Sequence, residues 1–207
     1  DLEDVSTLRK ESVRDQAKLK EVAWRVDDAE NRARRNNLRF VGFPEGVEGS
    51  DCGAFLGDWL LASLGAEHFS SCFVLERAHR ALGGRPPAGA PPRSMIAKFL
   101  NYWDRDAVLR MAREAGQVQQ QGTRLSFFPD FTTMVQEAHK AFNEVKKLMR
   151  NNDVLYAMLY PARLRCRLGD RTVFFNTHED AMKQLKVNRK VTKMTFHEQK
   201  SSQRSTA

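Results

Sequence analysis

The first three dozen residues keep one seven-residue register, and that register most restricts what the chain can become. Val5, Ser12, Leu19, Val26 and Ala33 recur at every seventh position, and Leu8, Asp15, Val22, Ala29 and Asn36 come three residues behind them. This is an a/d seam, the pattern of helices that supercoil around one another. A lone helix with so narrow an apolar stripe has nothing of its own to bury it against. The seam therefore predicts a helix over residues 1–36 and self-association. The flanking charges suit a parallel, in-register bundle. Asp4 can face a neighbour's Arg9, and Arg25 a neighbour's Glu30, each from g to the next e. The Ser12/Asp15 layer is polar and fixes register at a cost in stability. Leu19 at a with Val22 at d leans away from a dimer.

The seam runs into Arg32, Arg34, Arg35 and Arg39, so association gathers several copies of an arginine cluster. The whole chain of 207 residues carries 34 basic against 26 acidic side chains, a net charge of +8. That excess points to a polyanionic partner, nucleic acid before an anionic membrane. No apolar run is long enough to span a bilayer, and no secretory signal opens the chain. The chain starts at Asp1 in mid-heptad, which suits a fragment. Cys52, Cys72 and Cys166 are odd in number and scattered, which suits ordinary thiols in a reducing compartment.

Beyond the seam the element order reads β-α-β-β-α-β. Leu38–Phe43 alternates as a strand closed by Pro44, and residues 52–64 place Phe55, Leu56, Trp59, Leu60 and Leu64 on a broad apolar helix face. Residues 72–79 and Met95–Leu100 read as strands on either side of a Gly/Pro-rich loop, Leu82–Pro92. Asn101 is placed to cap a helix over 102–115, and residues 117–127 read as a fourth strand, bulged at Gly122. This split-βαβ order is the ferredoxin-like topology that the RNA recognition motif shares.

A second, small α/β domain comes next. A helix over about 133–150 opens on a Thr133/Gln136 capping box. It would bury Met134, Ala138, Ala141, Val145 and Leu148, and turn His139, Lys140, Asn143, Lys146, Lys147 and Arg150 outward. Two or three short strands run from Tyr156 to Phe175. A last helix opens at Thr177 with Asp180 closing its box, and the tail from about Lys193 is polar. The expected division is a coiled coil over 1–36, a recognition-motif-like domain over 37–128, a C-terminal domain over 129–192 and a tail over 193–207.

The constellations of an enzyme are missing from the pattern. There is no P-loop, HExxH or CxxC, and His68, His79, His139, His178 and His197 are isolated, so each reads as an ordinary histidine. The third strand, Ser94–Phe99, lacks the aromatics on which a recognition motif usually stacks bases. Binding is therefore expected to rest on phosphates. The cationic candidates are Arg35 and Arg39 at the junction; Arg77, Arg80 and Arg85 around the Pro-rich loop; and Arg93 and Lys98 on the third strand. Arg110 and Arg113 lie on the adjoining helix, Lys140 and its neighbours on the next domain's helix, and Tyr160, Arg163, Arg165 and Arg167 near a strand and turn. Trp24 and Trp103 have no assigned role.

Several blocks resemble the first-open-reading-frame protein of LINE-type retrotransposons, the RNA-binding family also called LINE-type transposase. Arg35-Asn36-Asn37-Leu38-Arg39-Phe40-Val41-Gly42-Phe43-Pro44-Glu45 resembles the opening of its central domain, and Glu76-Arg77-Ala78-His79-Arg80 resembles a further block of that domain. Pro91-Pro92-Arg93 before Ile96–Phe99 is similar to its third strand. Leu109–Gln117 is similar to its "LRxAREKG" helix end, and Tyr160-Pro161-Ala162-Arg163-Leu164 to its "YPAKL". Arg25-Val26-Asp27-Asp28-Ala29-Glu30 fits the R-h-x-x-h-E pattern of trimeric coiled coils. The blocks fall in order to about residue 190.

The resemblance implies an α+β homotrimer: parallel trimeric coiled coil, RNA recognition motif, small C-terminal domain. Val5, Leu8, Leu19, Val22, Arg25, Val26, Ala29 and Glu30 would trimerise it. It implies binding of single-stranded RNA and DNA with little sequence preference, packaging of the element's transcript into a ribonucleoprotein particle, and chaperone activity in retrotransposition. Cytoplasmic particles, with the nucleus as a second location, go with that reading. By carry-over Asn37, Arg39, Arg77, Arg80, Arg93, Arg110, Arg113, Tyr160 and Arg163 would touch the strand. No cofactor, metal, membrane or small-molecule substrate is implied. Where the family carries paired arginines, this chain has His139-Lys140, which loses the bidentate fork. The alternatives are a coiled-coil scaffold, an enzyme with a dispersed site, and a host-domesticated RNA-binding protein with no part in transposition.

Overall fold

The computed structural model describes residues 2–65 and 73–185. Cys72, His68, His197, the tail from Lys193 and the end of the last helix lie outside the described residues, as does the side chain of Asp4. The chain divides into two compact units between Thr132 and Thr133. Both mix helices with antiparallel sheet, and the α+β class holds.

The first unit opens with α1, Leu2–Ala33, a continuous helix of 32 residues and about 48 Å. Val5, Leu8, Leu19, Val22 and Val26 are all more than half exposed. An apolar side chain gains about 1.5–3 kcal/mol when fully covered, so the seam is a large unspent surface. The junction is held more firmly. Asn31 is buried, and its side chain bonds Thr132 twice: Nδ2 donates to Oγ1 at 2.9 Å, and Oδ1 accepts from the Thr132 backbone N–H at 3.0 Å.

The remaining elements of this unit are β1 (Asn37–Val41), α2 (Cys52–Leu64), β2 (Leu75–Arg80), β3 (Met95–Phe99), α3 (Tyr102–Glu114), β4 (Gln119–Gln120), β5 (Thr123–Arg124) and β6 (Ser126–Pro129). The four longer strands form one antiparallel sheet in the order β2-β3-β1-β6, the arrangement expected of a split βαβ pair. Strand alternation sends Leu38, Phe40, Met95, Ala97 and Phe99 into a core with Leu56, Trp59 and Leu60 of α2 and Val108 and Leu109 of α3. Asp51 caps α2 by accepting from the Ala54 N–H at 2.9 Å.

Two local expectations are corrected here. Residues 117–127 are not one bulged strand. Gln121 and Gly122 both take positive φ, 49° and 78°, and close a tight β4–β5 hairpin before β6 joins the sheet beside β1. The hairpin is secured by Trp59, whose Nε1–H donates to Gln120 Oε1 at 2.6 Å. Asn101 precedes α3 in extended conformation, but its side chain makes no cap to the backbone; its Nδ2 donates to Asp104 instead.

The second unit contains α4 (Thr133–Ala141), α5 (Asn143–Arg150), β7 (Tyr156–Leu159), β8 (Arg163–Leu168), β9 (Arg171–Phe175) and a helix, α6, whose described part is 178–185. The single helix expected over 133–150 is broken at Phe142. Phe142, Val145 and Met149 enter the core with Leu164, Cys166 and Phe175, and Val135 is buried on α4. The buried stripe is thus rotated from the one expected: Met134 and Ala141 are exposed. An aromatic at the break outcompetes a short alanine for the core, since burial scales with apolar area. Thr177 and Asp180 do bond one another, Thr177 Oγ1 donating to Asp180 Oδ2 at 2.8 Å and accepting from the Asp180 N–H at 3.3 Å.

Candidate nucleic-acid interface

Residues directly opposite in an antiparallel sheet share a face. In the first unit the face turned from the core carries a row of Arg77, Lys98 and Asn37, and a second row of His79, Ile96, Arg39 and Phe128. The face is cationic with one well-exposed aromatic, Phe128, on its outer strand.

Its centre is organised by Asp130, a buried carboxylate just past β6. Arg39 Nη2 donates to Asp130 Oδ1 at 2.7 Å, Asn37 Nδ2 donates to Oδ2 at 3.1 Å, and Arg34 Nη1 lies 3.6 Å from Oδ2. Arg39 Nη1 donates to Ser94 Oγ at 2.9 Å. The guanidinium is fixed at both ends, with about a quarter of the side chain exposed. Lys98 pairs with Glu76 at 2.7 Å at the surface. Such a pair is worth only about 0–1 kcal/mol, so a phosphate can displace the carboxylate.

The sequence-predicted cations fall into two kinds. Arg80 is an internal tie, its side chain only 7% exposed. Nε and Nη2 hold Glu48 at 2.9 and 2.7 Å, Nη1 donates to the carbonyls of Phe43 and Arg93, and Nη2 also reaches the Pro44 carbonyl. A guanidinium has five N–H groups, and these contacts use them all. Arg93 grips Glu45 through Nη2 at 2.9 Å and its own backbone N–H at 2.7 Å, and reaches the Gly83 carbonyl at 2.9 Å. These bonds hold the Glu45 carboxyl down at about 2, and the Arg80 bond lowers Glu48 likewise. Both arginines pin the Pro-rich loop to the chain segment after β1. Arg35, Arg77, Arg85, Arg110 and Arg113 are different: each is exposed and makes no ion pair among the described residues.

In the second unit His139 Nε2 bonds the Pro161 carbonyl, tying α4 to the turn that carries Tyr160. Burial pushes the imidazole below its ordinary value, and the Pro161 bond opposes this. Lys146 Nζ donates to the His139 carbonyl at 2.9 Å, and burial lowers its pKa too. Lys140 and Tyr160 are exposed. The Arg163 guanidinium lies over Phe174, 4.5 Å from the ring centroid.

Sequence reasoning missed Asp130 and Phe128. The aromatic had a signal: Phe127-Phe128 are neighbours on a strand, so one must face away from the core. Asp130 had none, because its partners are about ninety residues distant. Among the described residues no group of three or more His, Cys, Asp or Glu is placed to hold a metal, and no helix is long and apolar enough to cross a membrane.

The chain is 24% identical over 180 residues to the LINE-1 retrotransposable element ORF1 protein of Mus musculus, covering 84% of this chain and 49% of that protein. It is 23% identical over 156 residues to LINE-1 type transposase domain-containing protein 1 of Mus musculus, covering 75% of this chain and 20% of that protein. The Homo sapiens protein of the same name matches at 27% over 89 residues, 43% of this chain and 10% of its own length. No family model matches. The chain spans about half the length of the mouse ORF1 protein and less of the others. Over most of its length the chain is a homologue, at modest identity, of the mouse LINE-1 retrotransposable element ORF1 protein and the mouse LINE-1 type transposase domain-containing protein 1.

Proposed function

We propose that the chain is a homotrimeric, non-enzymatic binder and chaperone of single-stranded RNA and DNA, which packages a retrotransposon transcript into a cytoplasmic ribonucleoprotein particle. In this reading α1 is the strand of a parallel trimeric coiled coil, the four-stranded unit is an RNA recognition motif, and the second unit is an additional nucleic-acid-binding domain. The observation that carries it is the bare a/d seam of α1 running without a break into a domain whose open sheet face bears Arg77, Lys98, Arg39 and Phe128. The likeness to the mouse ORF1 protein supports the same reading.

The mechanism rests on charge and linkage. Exposed arginines neutralise phosphates one at a time, each contact weak and screened by salt. Trimerisation makes every contact after the first intramolecular, so a strand is held tightly overall yet exchanges locally. That is the requirement for rearranging a strand while retaining it. Sequence preference is low because phosphates carry no base information.

Fluorescence anisotropy with a single-stranded oligonucleotide, titrated against salt, tests the proposal. Log affinity should fall linearly with log salt, with a slope of about −0.7 per phosphate neutralised. No binding at moderate salt leaves the scaffold reading instead.

A further inference from the structure

Four apolar side chains at one end of the first unit's sheet are left bare by the fold. Trp103, at the start of α3, is 79% exposed, and Val74, Leu100 and Tyr102 are between 42% and 55% exposed. They form one fixed patch. The Leu100 N–H donates to the Val74 carbonyl at 2.9 Å, and the Tyr102 and Trp103 rings meet edge to face with centroids 5.7 Å apart. The Arg105 guanidinium lies over the Tyr102 ring, 5.8 Å from its centroid. An exposed apolar cluster on a charged surface marks an interaction site. This one lies past the end of β3, outside the cationic row on the sheet face.

The direction of α1 says what covers it. β1 lies between β6 and β3 in the sheet. Asn31 ties α1 to Thr132, just beyond β6. At about 100° per residue, the seam positions Val26, Ala29 and Ala33 stand about 140–160° around the helix from Asn31. The seam is therefore turned from the β6 side and looks over the end of β3, where the patch lies. Asn36, the last position of the heptad pattern, touches that end. Its Nδ2 donates to the Phe99 and Leu100 carbonyls at 3.2 and 3.3 Å, and its carbonyl accepts from the Phe99 N–H at 3.0 Å. Seam and patch form one continuous surface.

Resting on the self-association reading, we propose that the patch docks the end of α1 from a second copy of this chain. A neighbouring helix on the seam, about 8–10 Å away axis to axis, also reaches Leu100 and Trp103. In a parallel register that helix ends in Ala29 and Ala33, small enough for close approach, and in the exposed Arg32 and Arg35. These arginines meet the Trp103 ring and Asp106, which follows Trp103 by one turn on the same side of α3. The same aspartate disfavours a phosphate backbone as occupant. The first unit is thereby clamped to its neighbour's helix and does not swing freely below its own.

Hydroxyl-radical footprinting of the purified full chain, read by mass spectrometry, tests this. Trp103 and Tyr102 should oxidise several-fold more slowly in the wild-type assembly than in Leu19→Pro single chains, with Phe128 as the unchanged reference. In sedimentation, Trp103→Ser should raise the concentration at which the assembly dissociates about ten-fold, and Trp103→Phe should retain most of the affinity. In the Leu19→Pro background, Trp103→Ser should leave the melting temperature unchanged. Equal oxidation of Trp103 in an assembled wild type, or unaltered dissociation of Trp103→Ser, overturns the docking and leaves self-association standing. Protection that arises only when a single-stranded oligonucleotide is added assigns the patch to nucleic acid and also overturns it. A wild type of one chain mass removes both readings.

Discussion

Arg39 and Asp130, 91 residues apart in the chain, are joined by a 2.7 Å hydrogen bond that fixes a cation on the open face of the sheet. The same carboxylate receives Asn37 and lies beside Arg34, while Thr132, two residues on, holds Asn31 at the end of α1. One buried acid thus joins the sheet face to the segment at the end of α1. Replacing it strands two donors without their acceptor. Asp130→Ala should destabilise the first unit by about 3 kcal/mol, read as a lower midpoint in urea. A loss below about 0.5 kcal/mol would mean that the carboxylate is not the organising group.

Arg77 and Arg80 sit three residues apart on β2 and should behave in opposite ways. Arg77 is exposed and unpaired among the described residues, so Arg77→Ala should leave the melting temperature unchanged and reduce the salt slope by about 0.7. Arg80 spends every N–H inside the fold, so Arg80→Ala should cost about 3 kcal/mol by leaving Glu48 and three carbonyls unpaired. Denaturant melts paired with anisotropy titrations separate the two effects.

Gly42 ends the first strand at φ 110°, and a Cβ there would lie 2.5 Å from the Arg124 carbonyl oxygen. The closest obstruction is the Arg124 backbone, with the Leu125 side chain beside it at 3.2 Å, so the group that would have to yield is main chain. Gly42→Ala should therefore cost at least about 2 kcal/mol and loosen the β4–β5 hairpin, seen as faster amide exchange at Thr123 and Arg124.

His139 links pH to the stability of the second unit. Its folded pKa lies below the ordinary 6.5 because burial disfavours the imidazolium. As pH falls through 6.5 the unfolded chain takes up the proton first, so this contribution is complete above 6.5 and declines toward the folded value. Chemical denaturation at pH 8 and at about pH 5.5 should show the unit losing stability at the lower pH. His139→Gln should flatten that difference; an equal loss in the variant would assign the effect to another group.

How far the sequence reveals this molecule depends on the range of each interaction. The 52–64 helix and the alternation of Leu38 and Phe40 were readable because period and burial are local properties. The hairpin at Gln121–Gly122 was missed because a Gly in a strand pattern signals a bulge as readily as a turn. The break at Phe142 escaped because both halves keep a helical period and only the core selects which stripe is buried. Among the site residues, sequence located the basic segments but not their state. Nothing local distinguishes Arg77, open to solvent, from Arg80, enclosed by Glu48 and the chain after β1. That distinction is made by contacts 32 to 37 residues away.

In the proposed function, α1 multiplies a weakly binding surface. Light scattering on the chain with and without a bound single strand tests this most directly. The wild type should show three times the 23.7 kDa chain mass, and Leu19→Pro should give single chains that bind far more weakly per chain. A wild type of one chain mass, or single chains of the variant that bind as tightly as the assembly, would contradict it.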